Sequence, residues 1–285
     1  MDPLAVVRRA VADAVRERVV GPGGLDRQQS LVDEQGPRWF APDRPVRAVH
    51  SDVSMFVGGL RALLLQSLHP LVMAGVAQHS DYRSDPWGRL QRTADFLGTT
   101  TFGTVAQAER ACGIVRSVHG RVQGIAPDGR AYRATDPHLL AWVHITEVDS
   151  FLRAHDRYGA HRLTPAEADG YVADMAVVAR ALGVLDPPTT RADLATMLRS
   201  YRAELASTPD AREAARFLLA PPIPVVAMPA YAVLAAAAVG LLPAWTRWPL
   251  RLPYLPLTEA LAVRPAGDAL VRGLRWALTP TSALT

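Results

Sequence analysis

Apolar residues recur three and four positions apart along most of this chain, the spacing that lines one face of an α-helix. Leu4, Val7, Val11, Val15 and Val19 form such a stripe over residues 3–19, and Gly21-Pro22-Gly23-Gly24 ends it. Residues 22–47 lose the period; their glycines, prolines and charges predict an ordered loop or short turns that dock Trp39 and Phe40 onto the body. With Asp52 as its cap, a helix should run through Gly58-Gly59 to Leu68, break at His69-Pro70 and resume from Leu71 to His79. Another is expected from Trp87 to Thr101. Behind a Thr104 cap, Val105, Ala108, Ala111, Cys112, Val115, Val118, His119 and Val122 share an apolar arc. Gly124–Tyr132 reads as a turn or small hairpin. Thr135-Asp136-Pro137 opens a helix that is apolar on most sides and so belongs at the centre of a bundle. Thr164-Pro165-Ala166-Glu167 is a capping box for a helix reaching Leu182. Further helices follow at 191–205, behind Thr208-Pro209, and at 258–278.

No series of short alternating strands interrupts this pattern, so the expected class is all-α, a single-domain bundle of about ten helices. Residues 1–44 form an N-terminal helix and loop packed on the body, and residues 45–285 form one structural unit. The most apolar stretch is 217–245. Its unbroken run from Ala230 to Leu242 is about 13 residues, short of the ~20 that span a bilayer. Prolines 221, 222, 224 and 229 break what precedes it. A core helix is therefore expected there; a surface touching membrane or a greasy substrate is the alternative.

Composition narrows the function classes. All 31 basic residues are arginine, yet the net charge is only +4 and the arginines are interspersed with acids, so no nucleic-acid stripe exists. The single cysteine, Cys112, excludes an internal disulfide and fits a reducing compartment. With no signal-type apolar core at the N-terminus, a cytoplasmic protein is expected. Cys112 sits on the apolar arc of its helix, as a structural thiol would.

There is no phosphate loop, paired-cysteine zinc pattern, HExxH or nucleophile elbow; a Ser-His-Asp hydrolase is thereby a distant reading, one that a serine-directed probe would test. What stands out lies between Gly58 and Gly124. Arg89, Arg92, Thr93 and Phe96 share one helix face, and His119 falls on the apolar arc of the next helix. A histidine there needs a hydrogen-bond partner, a charge or a metal. Arginines beside it suit an anionic cofactor, but Asp81, Asp85 or Asp95 could equally hold them in structural ion pairs. His144 in WVHITEVDS is a second candidate ligand, with structural hydrogen bonding as its other reading. His69 could cap the preceding helix through the dipole.

Three segments together, GGLRALLLQSLHPLVMAGVAQHSDYRSDPWGRLQRTADFLGTTTFG, VRSVHGRVQG and YRATDPHLLAWVHITEVDS, resemble the bacterial oxygenase family of the mycophenolic-acid-pathway (MpaB) type. That family includes the rubber oxygenase, or latex clearing protein, catalytic domain, and the resemblance covers residues 45 to 260. It implies an all-helical, globin-like arrangement and a b-type haem. It also implies that His119, in its Val-His context, is the proximal iron ligand and that Arg89 and Thr93 are the haem-side arginine and threonine. Where the rubber enzymes carry a lysine before that threonine, this chain has Arg92. Arginine does not deprotonate to ligate iron, so Arg92 would pair with a propionate or a distal ligand instead. Phe96, Leu97, Trp142, Val143, His144 and parts of 217–242 would wall the pocket, with His69, His79 and His144 adding polarity. The implied activity is a haem b-dependent oxygenase acting with dioxygen on a small apolar substrate, an alkene or isoprenoid. A haem carrier or sensor and a cofactor-free interaction protein are the other readings; carbon monoxide or cyanide binding separates the first two.

Overall fold

A computed structural model describes residues 3–279, apart from Val20 and Pro22. The described residues form helices α1 (Pro3–Val19), α2 (Gly24–Asp33), α3 (Pro45–Ser51), α4 (Met55–Gln66), α5 (Pro70–His79), α6 (Pro86–Phe102) and α7 (Val105–His119). A two-stranded antiparallel hairpin follows, β1 (Gln123–Ile125) and β2 (Ala131–Arg133), with Gly124 opposite Tyr132. Then come α8 (Pro137–Tyr158), α9 (Pro165–Leu182), α10 (Arg191–Ser200), α11 (Pro209–Leu219), α12 (Met228–Gly240) and α13 (Ala244–Arg247). Last, α14 (Pro256–Thr258) runs through a π turn, Glu259–Val263, into α15 (Arg264–Leu278). The class is all-α, as the periodicity predicts.

Helix starts follow side-chain chemistry. Thr104 and Gln107 form a capping box at α7, and Thr164 and Glu167 form one at α9; in each, the two residues satisfy one another's free amides. Asp136 caps α8 by accepting from the His138 amide, with Pro137 at the first helical position.

Helix α8 is the axis. It buries residues on every side and packs against α4, α9 and α10. The crossing with α4 is tight: a Cβ on Gly58 would stand 2.7 Å from Phe151 Cδ1 and 3.0 Å from its Cα. A cluster around Trp142, Ile145, Val148, Phe151, Tyr171 and Met175 fills the space between α8 and α9, and Phe40 packs into it. Arg61 of α4 is wholly buried in the crossing; it donates to Asp149 at 2.8 Å, to Ser150 Oγ at 2.6 Å and to the Leu241 carbonyl at 2.9 Å.

Three sequence expectations fail here. Residues 22–47 are not turns alone: α2 and the start of α3 lie within them, α3 with Pro45 at its first turn. At seven residues α3 is too short to display a helical period, and the glycines, prolines and charges on either side of α2 read as turns. Asp52 caps no helix start. It ends α3 and instead accepts from the Ser54 and Ala160 amides and from Arg275 at 2.9 Å. The helix starts two residues later than expected, with Ser54 at the cap position, and Asp52 serves the turn before it and Arg275 together. On α7, Val118 is exposed although the arc places it inward.

No single described helix is long and apolar enough to cross a membrane. The run Ala230–Leu242 falls largely in α12, which buries Ala235, Ala237, Ala238 and Val239 as the core reading expects. The segment around it behaves otherwise. Val225, Val226, Met228, Trp248, Leu257 and Leu261 are all exposed.

Candidate active site

Two adjacent helices and the bundle axis carry the residues singled out by sequence. Helix α6 begins with Asp85 as its cap, accepting from the Gly88 amide. One turn on, Arg89 is half-buried and donates to Ser80 Oγ at 2.6 Å, and burial lowers its pKa. Arg92 faces outward and pairs with Asp85 at 3.2 Å, and Thr93 Oγ1 donates back to the Arg89 carbonyl at 3.0 Å. Of the three acids offered as partners, Asp85 takes Arg92 and Asp95 takes Arg27 at 3.3 Å, whereas Arg89 has a serine instead. One turn deeper, Phe96 and Leu97 are half-buried against the central cluster.

His119 is the last residue of α7 and half-buried. Its Nδ1 is buried with no hydrogen-bond partner, and burial lowers its pKa. A neutral imidazole with an unsatisfied buried nitrogen is the state in which histidine binds a metal.

On α8, His144 is buried, its Nε2 also has no partner, and burial pushes its pKa down to about 4. One turn on is Glu147, which sequence reasoning passed over. Burial pushes its pKa up to about 7. Protein packs around this side chain, which is half-buried. Glu147 also acts on Tyr171, whose phenol is held well above its ordinary value first by burial and then by that carboxylate. The Tyr171 hydroxyl lies 3.3 Å from His50 Nε2, and His50 Nδ1 lies 2.8 Å from Thr101 Oγ1. His50 is kept neutral by burial, with a pKa of about 3. A polar strand of Thr101, His50 and Tyr171, with Glu147 beside it, thus runs through the apolar interior between α3, α6, α8 and α9.

The other sequence candidates fall elsewhere. Trp142 is packed in the core, its Nε1 donating to the Gln66 carbonyl at 3.3 Å, while Val143 is half-buried. His79 ties α5 to the hairpin, Nε2 at 3.2 Å from the Gln123 carbonyl. His69 does not serve the preceding helix through its dipole: it sits at the start of α5, its ring nitrogens without hydrogen-bond partners. Cys112 is buried and its thiol pushed up to about 11, as suits a structural residue. Two open grooves, of about 360 Å³ beside Ala131–Asp136 and about 330 Å³ between α1, α2, α6 and α7, include neither His119 nor His144 in their walls.

Burial lowers the pKa of His50, His119 and His144 and a buried nitrogen of each of the last two has no partner, so His119 or His144 can ligate a metal-centred group, and the Glu147 carboxyl, with a pKa of about 7, can move a proton. Comparison with known proteins agrees in kind. No curated protein and no solved structure matches the chain. Residues 47–277 match the family described as ER-bound oxygenase mpaB/B'/Rubber oxygenase, catalytic domain. That span is most of the chain, and the protein belongs to this oxygenase family.

Proposed function

We propose that this oxygenase domain works with haem b on a small apolar substrate and dioxygen. The observation that carries this reading is the half-buried His119, its pKa lowered by burial and its buried Nδ1 without a partner, in a chain of an oxygenase family. The orphaned nitrogens of His119 and His144 fit such a group, because a buried imidazole without partners is costly to the fold until something takes its lone pair or proton. His119 would hold the iron, and Arg89, Arg92 and Thr93 would meet the charged edge of the cofactor or tune the pocket. For the two arginines this requires giving up Ser80 and Asp85 in favour of propionates, an exchange of one charge-assisted contact for another. When bound, the haem supplies the oxygen chemistry.

The chain's own part is to bind, exclude water and handle the proton. Phe96, Leu97 and Val143 offer an apolar wall. Glu147 gives or takes a proton at its carboxyl without leaving the neutral range. An apolar substrate must also leave a membrane or another greasy phase. The exposed apolar residues from Val225 to Leu261 support a peripheral contact of that kind.

The decisive measurement is the absorption spectrum of the purified protein, oxidised and reduced, beside His119→Ala and His144→Ala. A Soret band is expected in the parent and in His144→Ala, and its loss or displacement in His119→Ala. A parent that shows no Soret band after incubation with haem overturns the reading.

A further inference from the structure

Away from α6 and α7, three segments distant in sequence bring two imidazoles and a carboxylate together. His69 precedes α5, His138 lies in the first turn of α8, and Glu204 follows the 3₁₀ turn after α10. One ligand atom from each lies within 4.8 Å of the others. We propose that His69, His138 and Glu204 form a binding site for one divalent transition-metal ion of the zinc class, separate from the candidate haem ligand.

The donors suit that class. Two neutral imidazoles and one carboxylate form a borderline N₂O set that hard cations such as Ca²⁺ do not select. Two ligand atoms on a tetrahedral ion with bonds of about 2.05 Å stand roughly 3.4 Å apart. His69 Nε2 is 3.5 Å from Glu204 Oε2, the right separation for a metal edge and without the geometry of a hydrogen bond. His138 Nε2 is 2.8 Å from the same oxygen, so this contact opens by roughly half an ångström when an ion enters.

Two further observations point to a ligand. His69 is 1 % exposed, and neither of its ring nitrogens has a hydrogen-bond partner. Burial, ahead of the opposing effect of Glu204, keeps it neutral and able to coordinate. His138 has its other nitrogen already engaged. Its ring stacks on Tyr201 at 4.4 Å, and the Tyr201 hydroxyl donates to the His138 carbonyl at 2.8 Å and lies 3.2 Å from Nδ1. In this structure Nε2–H donates to the Glu204 carboxylate; when the hydroxyl, its own proton given to the carbonyl, accepts from Nδ1–H instead, the ring switches tautomer and frees Nε2 for an ion at the cluster. The opposing charge nearby, Arg130, is neutralised by Asp128 at 2.7 Å. His138 and Glu204 are half-open to solvent, which gives an ion its way in and leaves a fourth position for water. A bound ion would clamp the starts of α5 and α8 to the connection between α10 and α11.

The test is a calorimetric titration of the full-length protein with ZnCl₂, its haem content fixed beforehand by absorption. One ion per chain is expected. His138→Ala and Glu204→Gln, both partly exposed, should each weaken binding at least about 100-fold, and Tyr201→Phe, which removes only the group that orients His138, about tenfold. Cobalt should give a tetrahedral visible band that is lost in the same variants. His119→Ala should keep zinc while losing the Soret band, so this site and the haem reading can fail separately. Absence of saturable binding, or one-to-one binding that survives in the His138→Ala/Glu204→Gln double variant or disappears with His119→Ala, overturns the proposal.

Discussion

Helix α8 and the stretch from Val225 to Leu261 invert the usual arrangement in opposite directions. Helix α8 takes His144, Thr146, Asp149, Ser150 and His155 into the interior. The later stretch leaves Val226 and Trp248 each 89 % exposed. Neither follows from hydropathy, and burying polar groups or exposing large apolar ones stabilises nothing by itself. The two regions show where this fold departs from its own packing rule. Inside, polar groups are kept for what they hold; outside, apolar groups are kept for what they meet.

The comparison breaks most severely at Asp149. Arg61 is wholly buried, and Asp149 is its counter-charge. Asp149→Ala would leave a guanidinium uncompensated in the core and should lower stability by roughly 3–5 kcal/mol, read as a fall in the denaturant midpoint. If the loss is under 1 kcal/mol, α8's polar residues are not an integral part of the packing.

A smaller effect concerns acid. His50 and His144 have pKa values lowered by burial, to about 3 and about 4, so the unfolded chain binds more protons than the native one as pH falls through 6.5. Their contribution to stability is present above that pH and is lost on acidification. Glu147 has the opposite sign: its pKa is raised to about 7, so it favours the fold at low pH and costs stability as pH rises from the ordinary carboxylate range through 7. Glu147→Gln should therefore stabilise the haem-free protein at pH 8. Discounted because the side chain is only half-buried, the gain is on the order of 1–2 kcal/mol. It should also steepen the loss between pH 6.5 and 4.5. Chemical denaturation across that range checks both; equal pH profiles for parent and variant would remove Glu147 from the interior circuit.

The least effect on stability is expected outside. Val225→Ser with Val226→Ser should shift stability by less than about 0.5 kcal/mol, since neither side chain is packed. The same pair should weaken sedimentation with lipid vesicles by about tenfold. Unchanged vesicle binding would confine the inversion to composition.

Much of the fold was legible because its signals are local. The Thr104, Asp136 and Thr164 caps and the sustained period of α8 each lie within a few residues of what they determine. α3 was not legible, being too short for a period, nor was α2, whose flanking glycines, prolines and charges read as turns. Asp52 misled because a turn intervenes and α4 starts only behind Ser54, while the rest of the carboxylate is taken by Arg275, more than two hundred residues away. The candidate site divides similarly. His119 and His144 attract notice as histidines on apolar helices. Glu147 reads as a solvated face until the fold surrounds it, and its raised pKa has no sequence signature. His50 and Tyr171, or His69, His138 and Glu204, meet only through tertiary structure.

Gly58 adds a mechanical consequence. Its α-carbon faces Phe151 so closely that not even a methyl group fits, so α4 and α8 have no slack along which to slide. Opening this protein to an apolar guest must then be the work of other parts. The parts to test are α5 to α7 and the hairpin, which lie outside that crossing. Their amides should exchange with solvent deuterium well before those of the α4–α8 crossing.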